Sequence, residues 1–264
     1  MTDNPVHSFS DDGILTVRLA RPAKMNALTP TMIADLHRLF VAAADDATVR
    51  CLLIEAEGKA FCAGRDLAAA EANEDAERIL ADSVNPMLQA LYDFPKPSIA
   101  AVNGVAMGIG LGLALSCDIV YAGECARFSS PFANLGGALD SGGHYFLPRL
   151  LSDNRVLELI YTARVLDGRT AEHWGLVNRA MPDAVLTSTA RRLAQRIADG
   201  PATAYAGQKA LLRQSHALDV AAVLAAEARL QGALSHTAEY AEGIAAFQQK
   251  RRPDFRASGG SLQP

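Results

Sequence analysis

The segment Asn103-Gly-Val-Ala-Met-Gly-Ile-Gly-Leu-Gly112 could do chemistry through its main chain. Glycines let a backbone turn sharply and let a ligand approach its N–H groups. A helix starting near Ile109 would leave its first N–H groups unpaired, as an anion site requires. A dinucleotide fingerprint would need a glycine at position 113, which is leucine, and a ribose acid closing a strand; Glu124 sits in a Gly-Glu-Cys turn instead. Close helix packing is the purely structural explanation for these glycines. A second loop, Lys59-Ala-Phe-Cys-Ala-Gly-Arg-Asp-Leu67, offers another main-chain donor, and two such donors can make an oxyanion hole. Cys62 has no evident base and reads as a buried structural thiol. Ser141 and His144, three apart, lack the third group that orients a hydrolase base. His144 is expected to line a pocket or cap a helix. His173-Trp174 reads as a packed helix end without metal-ligand spacing.

Both loops need elements to hold them. Ile14 to Leu19 and Cys51 to Glu55 have strand character, and Ser98-Ile-Ala-Ala-Val102 is a buried strand entered between Pro95 and Pro97. Thr29-Pro30 supplies an N-cap and a first-turn proline for a helix whose face is Met32, Leu36, Leu39, Phe40 and Ala43. An alanine-rich helical stretch runs toward Asp93. This repeated strand–loop–helix order predicts an α/β protein with mainly parallel or spiralled strands and helices outside. Beyond about residue 185 the pattern is all helical, over 184–198, 202–214, 219–230 and 237–251, and suggests an appendage that packs on its own core, on another subunit, or both. The tail Ser258-Gly-Gly-Ser261 reads as frayed.

The 264 residues allow one substantial domain with at most a small appendage. A half-apolar, one-fifth-charged chain is globular, not disordered or fibrous. Its longest apolar run, from Met107 to Ser116, is too short for a bilayer span. Met1-Thr-Asp-Asn-Pro5 lacks the bases and apolar run of a secretory leader. A net charge of −4 argues against a nucleic-acid partner. The four cysteines lack CxxC spacing and fit buried thiols. A soluble cytoplasmic protein is expected.

Six segments together have a family likeness. Arg21-Pro-Ala-Lys-Met-Asn-Ala-Leu28, Ala60-Phe-Cys-Ala-Gly-Arg-Asp-Leu67, Ala101-Val-Asn-Gly-Val-Ala-Met-Gly108, Cys117-Asp-Ile-Val-Tyr-Ala-Gly123, Gly175-Leu-Val-Asn-Arg179 and Phe247-Gln-Gln-Lys-Arg-Arg252 stand in the order and spacing of the crotonase (enoyl-CoA hydratase/isomerase) superfamily, which the chain resembles from Thr2 to about Phe255. The resemblance implies a crotonase-type spiral of ββα units over residues 1–198 and a helical oligomerisation region over 199–264, assembled as a homotrimer or a dimer of trimers. It implies an acyl-CoA thioester substrate, with coenzyme A part of that substrate, and no separate cofactor or metal. The oxyanion donors match the N–H groups of Arg65 and Ile109; Ala63, Leu67 and Gly108 adjoin them, and the Arg65 side chain is expected to reach CoA. Lys24, Ala27 and Asp66 match positions near the nucleotide and pantetheine, with Lys24 facing a phosphate. Phe247 and Lys250 match C-terminal positions that close over CoA, often from a neighbouring subunit. As surface lysines, Lys24 and Lys250 have an equally simple reading.

Hydratases of this family carry two glutamates, at positions matching Gly112 and Phe132 here. Water addition needs groups to activate water and manage the α proton; both are missing. A carboxylate stands instead at Asp140, in Ala138-Leu-Asp-Ser-Gly-Gly143, which resembles the acid-then-Gly-Gly segment of enoyl-CoA isomerases, including those acting on ring-epoxidised phenylacetyl-CoA. An acid before small residues and an apolar run also fits an N-cap. The resemblance favours catalysis by Asp140 alone, desolvated by Phe132, Leu139 and Phe146. The expected reaction is a double-bond shift. An atypical hydratase, a dehalogenase-like enzyme with Asp140 as nucleophile, and a non-catalytic CoA-ester- or RNA-binding homologue are the alternatives.

Overall fold

The computed structural model describes residues 5–68 and 74–258. The leader reading of residues 1–4 and the frayed-tail reading of 259–261 lie outside the described residues. The chain opens with a hairpin, β1 (Val6–Asp11) and β2 (Ile14–Leu19), turning at Asp12 and Gly13, both at positive φ. Asp-Gly is the sequence signal for such a turn. Helix α1 (Pro30–Asp45) follows, its N-terminus capped by Thr29, whose hydroxyl accepts the Met32 N–H.

Three strand pairs then repeat one plan. The first strands, β3 (Cys51–Ala56), β5 (Ser98–Val102) and β7 (Ile119–Gly123), extend a six-stranded sheet in the order β1-β2-β3-β5-β7-β10, where β10 is Arg179–Met181. The second strands, β4 (Ala60–Cys62), β6 (Val105–Met107) and β8 (Arg127–Ser129), form a smaller parallel sheet closed by antiparallel β9 (Leu166–Asp167). Each pair is followed by helix: α2 (Ala76–Ile79), a π-helical turn (Leu80–Val84) and α3 (Asn85–Tyr92) after β4; α4 (Ile109–Leu115) after β6; a 3-10 turn (Pro131–Leu135), α5 (Gly143–Leu150) and α6 (Asp153–Thr162) after β8. This is the spiral of ββα units expected of a crotonase fold.

The central strands β3 and β5 of the large sheet are buried on both faces, which is why they read as continuous hydrophobic runs. Leu52, Ile54, Ala100 and Val102 face the main core with α1, α3 and α4. Their alternates Cys51, Leu53, Ile99 and Ala101 face α8 (Asp183–Ala198) through Leu186, Ala190, Ala194 and Ala198. Between these, α7 (Gly168–Trp174) ends with His173 exposed and Trp174 half-buried under the guanidinium groups of Arg155 and Arg164.

Helices α9 (Ala202–Ser215), α10 (Val220–Leu234) and α11 (Ala238–Gln248) complete the chain. Buried Glu239 of α11 accepts the N–H groups of Ala202 and Thr203, so a side chain from one helix caps another. Lys209 of α9 donates to Asp118 at 2.6 Å and to the Lys96 carbonyl at 2.9 Å, fastening this region to the sheet. Among the described residues no helix is long and apolar enough to cross a membrane.

Candidate active site

Because β4, β6 and β8 are parallel, the segments leaving their carboxyl ends emerge side by side. Those segments carry Arg65, Ile109 and Asp140. The first is braced by the loop after β2. Leu28 donates to the Gly64 carbonyl at 2.8 Å, and its own carbonyl accepts from Asp66 at 2.9 Å. In this parallel bridge Arg65 uses neither N–H nor C=O, so its N–H stays available. Asn26 holds the brace: buried, at φ 54°, it donates to the carbonyls of Glu57 and Ala60 and accepts the Arg21 N–H at 2.7 Å. Arg21 then spans the loops, donating to Asp66 at 2.6 Å and to the Ala27 carbonyl at 3.0 Å.

Ile109 begins α4, so its N–H has no preceding turn to bond. Among the described residues neither the Arg65 nor the Ile109 N–H has a backbone partner. Glycines press the two loops together. A Cβ on Gly110 would lie 2.1 Å from the Cys62 carbonyl oxygen, and one on Gly64, at φ +107°, would lie 3.1 Å from the Met107 oxygen. Both donor residues line one cavity of about 450 Å³.

Asp140 lines the same cavity beside Leu139 and Phe132, and it is the one acidic residue among the described residues of the wall. It is half-buried, and burial raises its pKa above the ordinary carboxylate value, while the Ser141 hydroxyl, donating at 2.7 Å, partly offsets the rise. The N-cap alternative does not hold. Helix α5 starts at Gly143 after Gly142, with no side-chain cap, and the Asp140 carbonyl rather than its carboxylate accepts the Gly143 N–H.

The two positions matched above to hydratase glutamates are part of this arrangement. A Cβ on Gly112 would stand 2.4 Å from the Ser141 oxygen and 2.7 Å from the Ser141 Cβ. With the 140–141 segment seated against α4, position 112 has no room for any side chain. Phe132, at the other glutamate position, lines the cavity, its ring 3.7 Å from where a Gly108 Cβ would lie.

Ala63, Leu67 and Gly108 also line the cavity; Lys24, Ala27, Asp66, Phe247 and Lys250 do not. Lys24 is exposed at the end of a 3-10 turn. Asp66 accepts the Ala68 N–H and the Arg21 guanidinium, which together hold its pKa low. Phe247, 84% exposed, lies in the last turn of α11, with Lys250 just beyond the helix.

Three expectations need correction. The Arg65 guanidinium does not project freely toward a ligand, because both carboxylate oxygens of Glu74 hold it, one at 2.6 Å. Phe146 packs against Tyr92 and Tyr145, at 5.8 and 5.4 Å between ring centres, and is absent from the wall around Asp140. His144 is exposed and neither lines the cavity nor caps α5. Ser141, considered above as a hydrolase residue, serves Asp140 as hydrogen-bond donor. Cys62 is fully buried, its thiol pushed up to about 12, so it is not a nucleophile. The roles of Asn26 and Glu74 were not read from the sequence; Asn26 lies within a recognised segment, whereas nothing local marks Glu74 as the partner of Arg65.

The spiral of paired strands, with two main-chain donors and a carboxylate around one cavity, defines a crotonase-fold protein. A solved enoyl-CoA hydratase from Mycobacterium smegmatis superposes with a TM-score of 0.90 at 30% identity, covering 96% of this chain and 99% of that one. The sequence profile described as enoyl-CoA hydratase/isomerase matches residues 10–258. Among curated relatives from Escherichia coli (strain K12), a 2,3-dehydroadipyl-CoA hydratase is 38% identical over 247 residues, covering 92% of this chain and 95% of its own length. A 1,2-epoxyphenylacetyl-CoA isomerase is 34% identical over 257 residues, covering 94% and 97%. The chain belongs to the enoyl-CoA hydratase/isomerase family.

Proposed function

We propose that the protein is an enoyl-CoA isomerase that moves a double bond through a thioester enolate, with Asp140 as the single acid/base. The observation that carries this reading is the cavity wall: Asp140 is its one acidic residue among the described residues, and it shares that wall with Arg65 and Ile109, whose N–H groups lack backbone partners.

The chemistry needs no second carboxylate. Asp140 removes an α proton from a 3-enoyl thioester, and negative charge builds on the carbonyl oxygen between the N–H groups of Arg65 and Ile109. Each such donor typically contributes about a hundred- to thousandfold in rate. Asp140, now protonated, returns the proton to the γ carbon, leaving the 2-enoyl thioester. Its raised pKa suits both halves: burial makes the carboxylate a better base, and the acid it becomes lies beside apolar walls. Coenzyme A arrives as part of the substrate, with Lys24, Ala27, Asp66, Phe247 and Lys250 as its proposed neighbours and a second subunit as the proposed source of the last two. A homotrimer or dimer of trimers is the proposed assembly.

The deciding experiment incubates the protein separately with a 3-enoyl-CoA and a 2-enoyl-CoA and follows isomerisation against hydration. Isomerisation without hydration is expected. Hydration as the faster reaction would replace the proposal with a hydratase, a covalent adduct on Asp140 by mass spectrometry with a dehalogenase-like enzyme, and binding without turnover with a CoA-ester-binding protein.

A further inference from the structure

The cavity's charges bear on which acyl groups it takes. Its wall is apolar at Leu67, Ala76, Ile79 and Leu80 and around Phe132 and Leu139; among the described lining residues two are of charged type, Asp140 and Arg65. Arg65 is the one cation among the described lining residues, and it is already neutralised. Glu74 holds its guanidinium at both ends, with Arg65 and Glu74 each only a quarter exposed. The fork-on-fork geometry leaves little reason for the cation to turn toward a second anion. Hydrogen bonding to Glu74 raises the Arg65 pKa further. An acyl group with a carboxylate at its far end would therefore leave water for a wall whose described residues offer no free cation, in a cavity already holding Asp140. Desolvating an unpaired charge in that way is strongly unfavourable.

We infer that the site selects uncharged, apolar acyl groups, a hydrocarbon chain or an aryl ring, and excludes ω-carboxylated ones, with the Arg65–Glu74 pair as the specificity device. The inference rests on the cavity being the acyl site of the reaction proposed above. Glu74 thereby has two effects. It neutralises the one cation among the described lining residues that could welcome a dicarboxylic acyl group, and it ties position 74 to the loop that presents the Arg65 N–H.

Binding of saturated thioesters tests this without depending on turnover. Hexanoyl-CoA and adipoyl-CoA have the same carbon count and differ in the terminal carboxylate. By calorimetry, hexanoyl-CoA should bind on the order of thirtyfold more tightly. Equal affinity, or tighter binding of adipoyl-CoA, overturns the inference while leaving the isomerase reading to its own assay. Loss of isomerase activity on 3-hexenoyl-CoA with the affinity ratio intact would sink the reaction and keep the selectivity. Glu74→Gln removes the neutralising charge and one of the two acceptors that hold the guanidinium, so the ratio should fall to within about threefold, mainly through tighter adipoyl-CoA binding. A ratio unmoved by Glu74→Gln overturns the role given to the pair.

Discussion

Asp140 illustrates how one side chain is tuned by two opposed neighbours. Burial favours its neutral form, and the Ser141 hydroxyl favours the charged form, with burial the larger effect. In the proposed reaction Asp140 must be ionised to act as the base, so kcat/KM should rise with pH along a limb centred above the ordinary aspartate value of about 3.9. Ser141→Ala removes the one opposing contact, so the limb should shift to higher pH in a pH–rate profile; a shift to lower pH would contradict the assignment. Asp140→Asn should lower kcat by about 10²- to 10⁴-fold while CoA-ester binding persists. The same substitution has a stability signature. With its folded pKa above its unfolded value, Asp140 makes the folded state hold more protons than the unfolded chain between the two values, so stability falls as pH rises through that window. Asparagine has no such loss and can still accept from Ser141. Asp140→Asn should therefore melt at a higher temperature than the parent at neutral pH, and the gap should close in acid.

At the scale of elements, glycines in α4 decide what the loops can do. Gly110 lets Cys62 lie against the helix, which brings the two donor loops together, and Gly112 makes room for Ser141 and so for Asp140. The obstructing atoms include main-chain oxygens, which cannot rotate away as a side chain would. Gly112→Ala should cost about 1–3 kcal/mol or more in denaturant unfolding, and activity should fall further than stability because the clash displaces the segment bearing the proposed base. If Gly112→Ala is as stable and active as the parent, the close seat of Ser141 is refuted. Gly112→Glu, which restores a hydratase acid on paper, is expected to destabilise rather than to create a hydratase.

For the whole molecule, the spiral sets three loops side by side, and the C-terminal helices remain incompletely covered. Leu234 is the one buried residue of α10, while Val220 and Leu224 on it, Leu212 on α9 and Phe247 on α11 are exposed. An apolar surface of that kind favours association. In sedimentation equilibrium the protein should have three or six times the 28.0 kDa chain mass, and Leu224→Lys should shift it toward the single chain. A monomer at micromolar concentration would dismiss the proposed assembly.

Periodicity and punctuation in the sequence were enough for β2, β3 and β5, for α1 with its Thr29-Pro30 start and for the C-terminal helices, because these depend on local alternation and capping. The spacing of two glycine loops after strands pointed to main-chain donors, and the absence of acids at Gly112 and Phe132 was plain from residue type. Short strands such as β8 and β9 were not legible, since two or three residues carry no period and are held by partners distant in the chain. Nor could any local pattern decide between cap and cavity for Asp140, or attach Arg65 to Glu74 rather than to a ligand. Those outcomes depend on which groups the spiral brings within hydrogen-bonding distance, and on how much water it leaves around them. Tertiary structure decided them because a carboxylate's orientation and solvation are set by non-local neighbours.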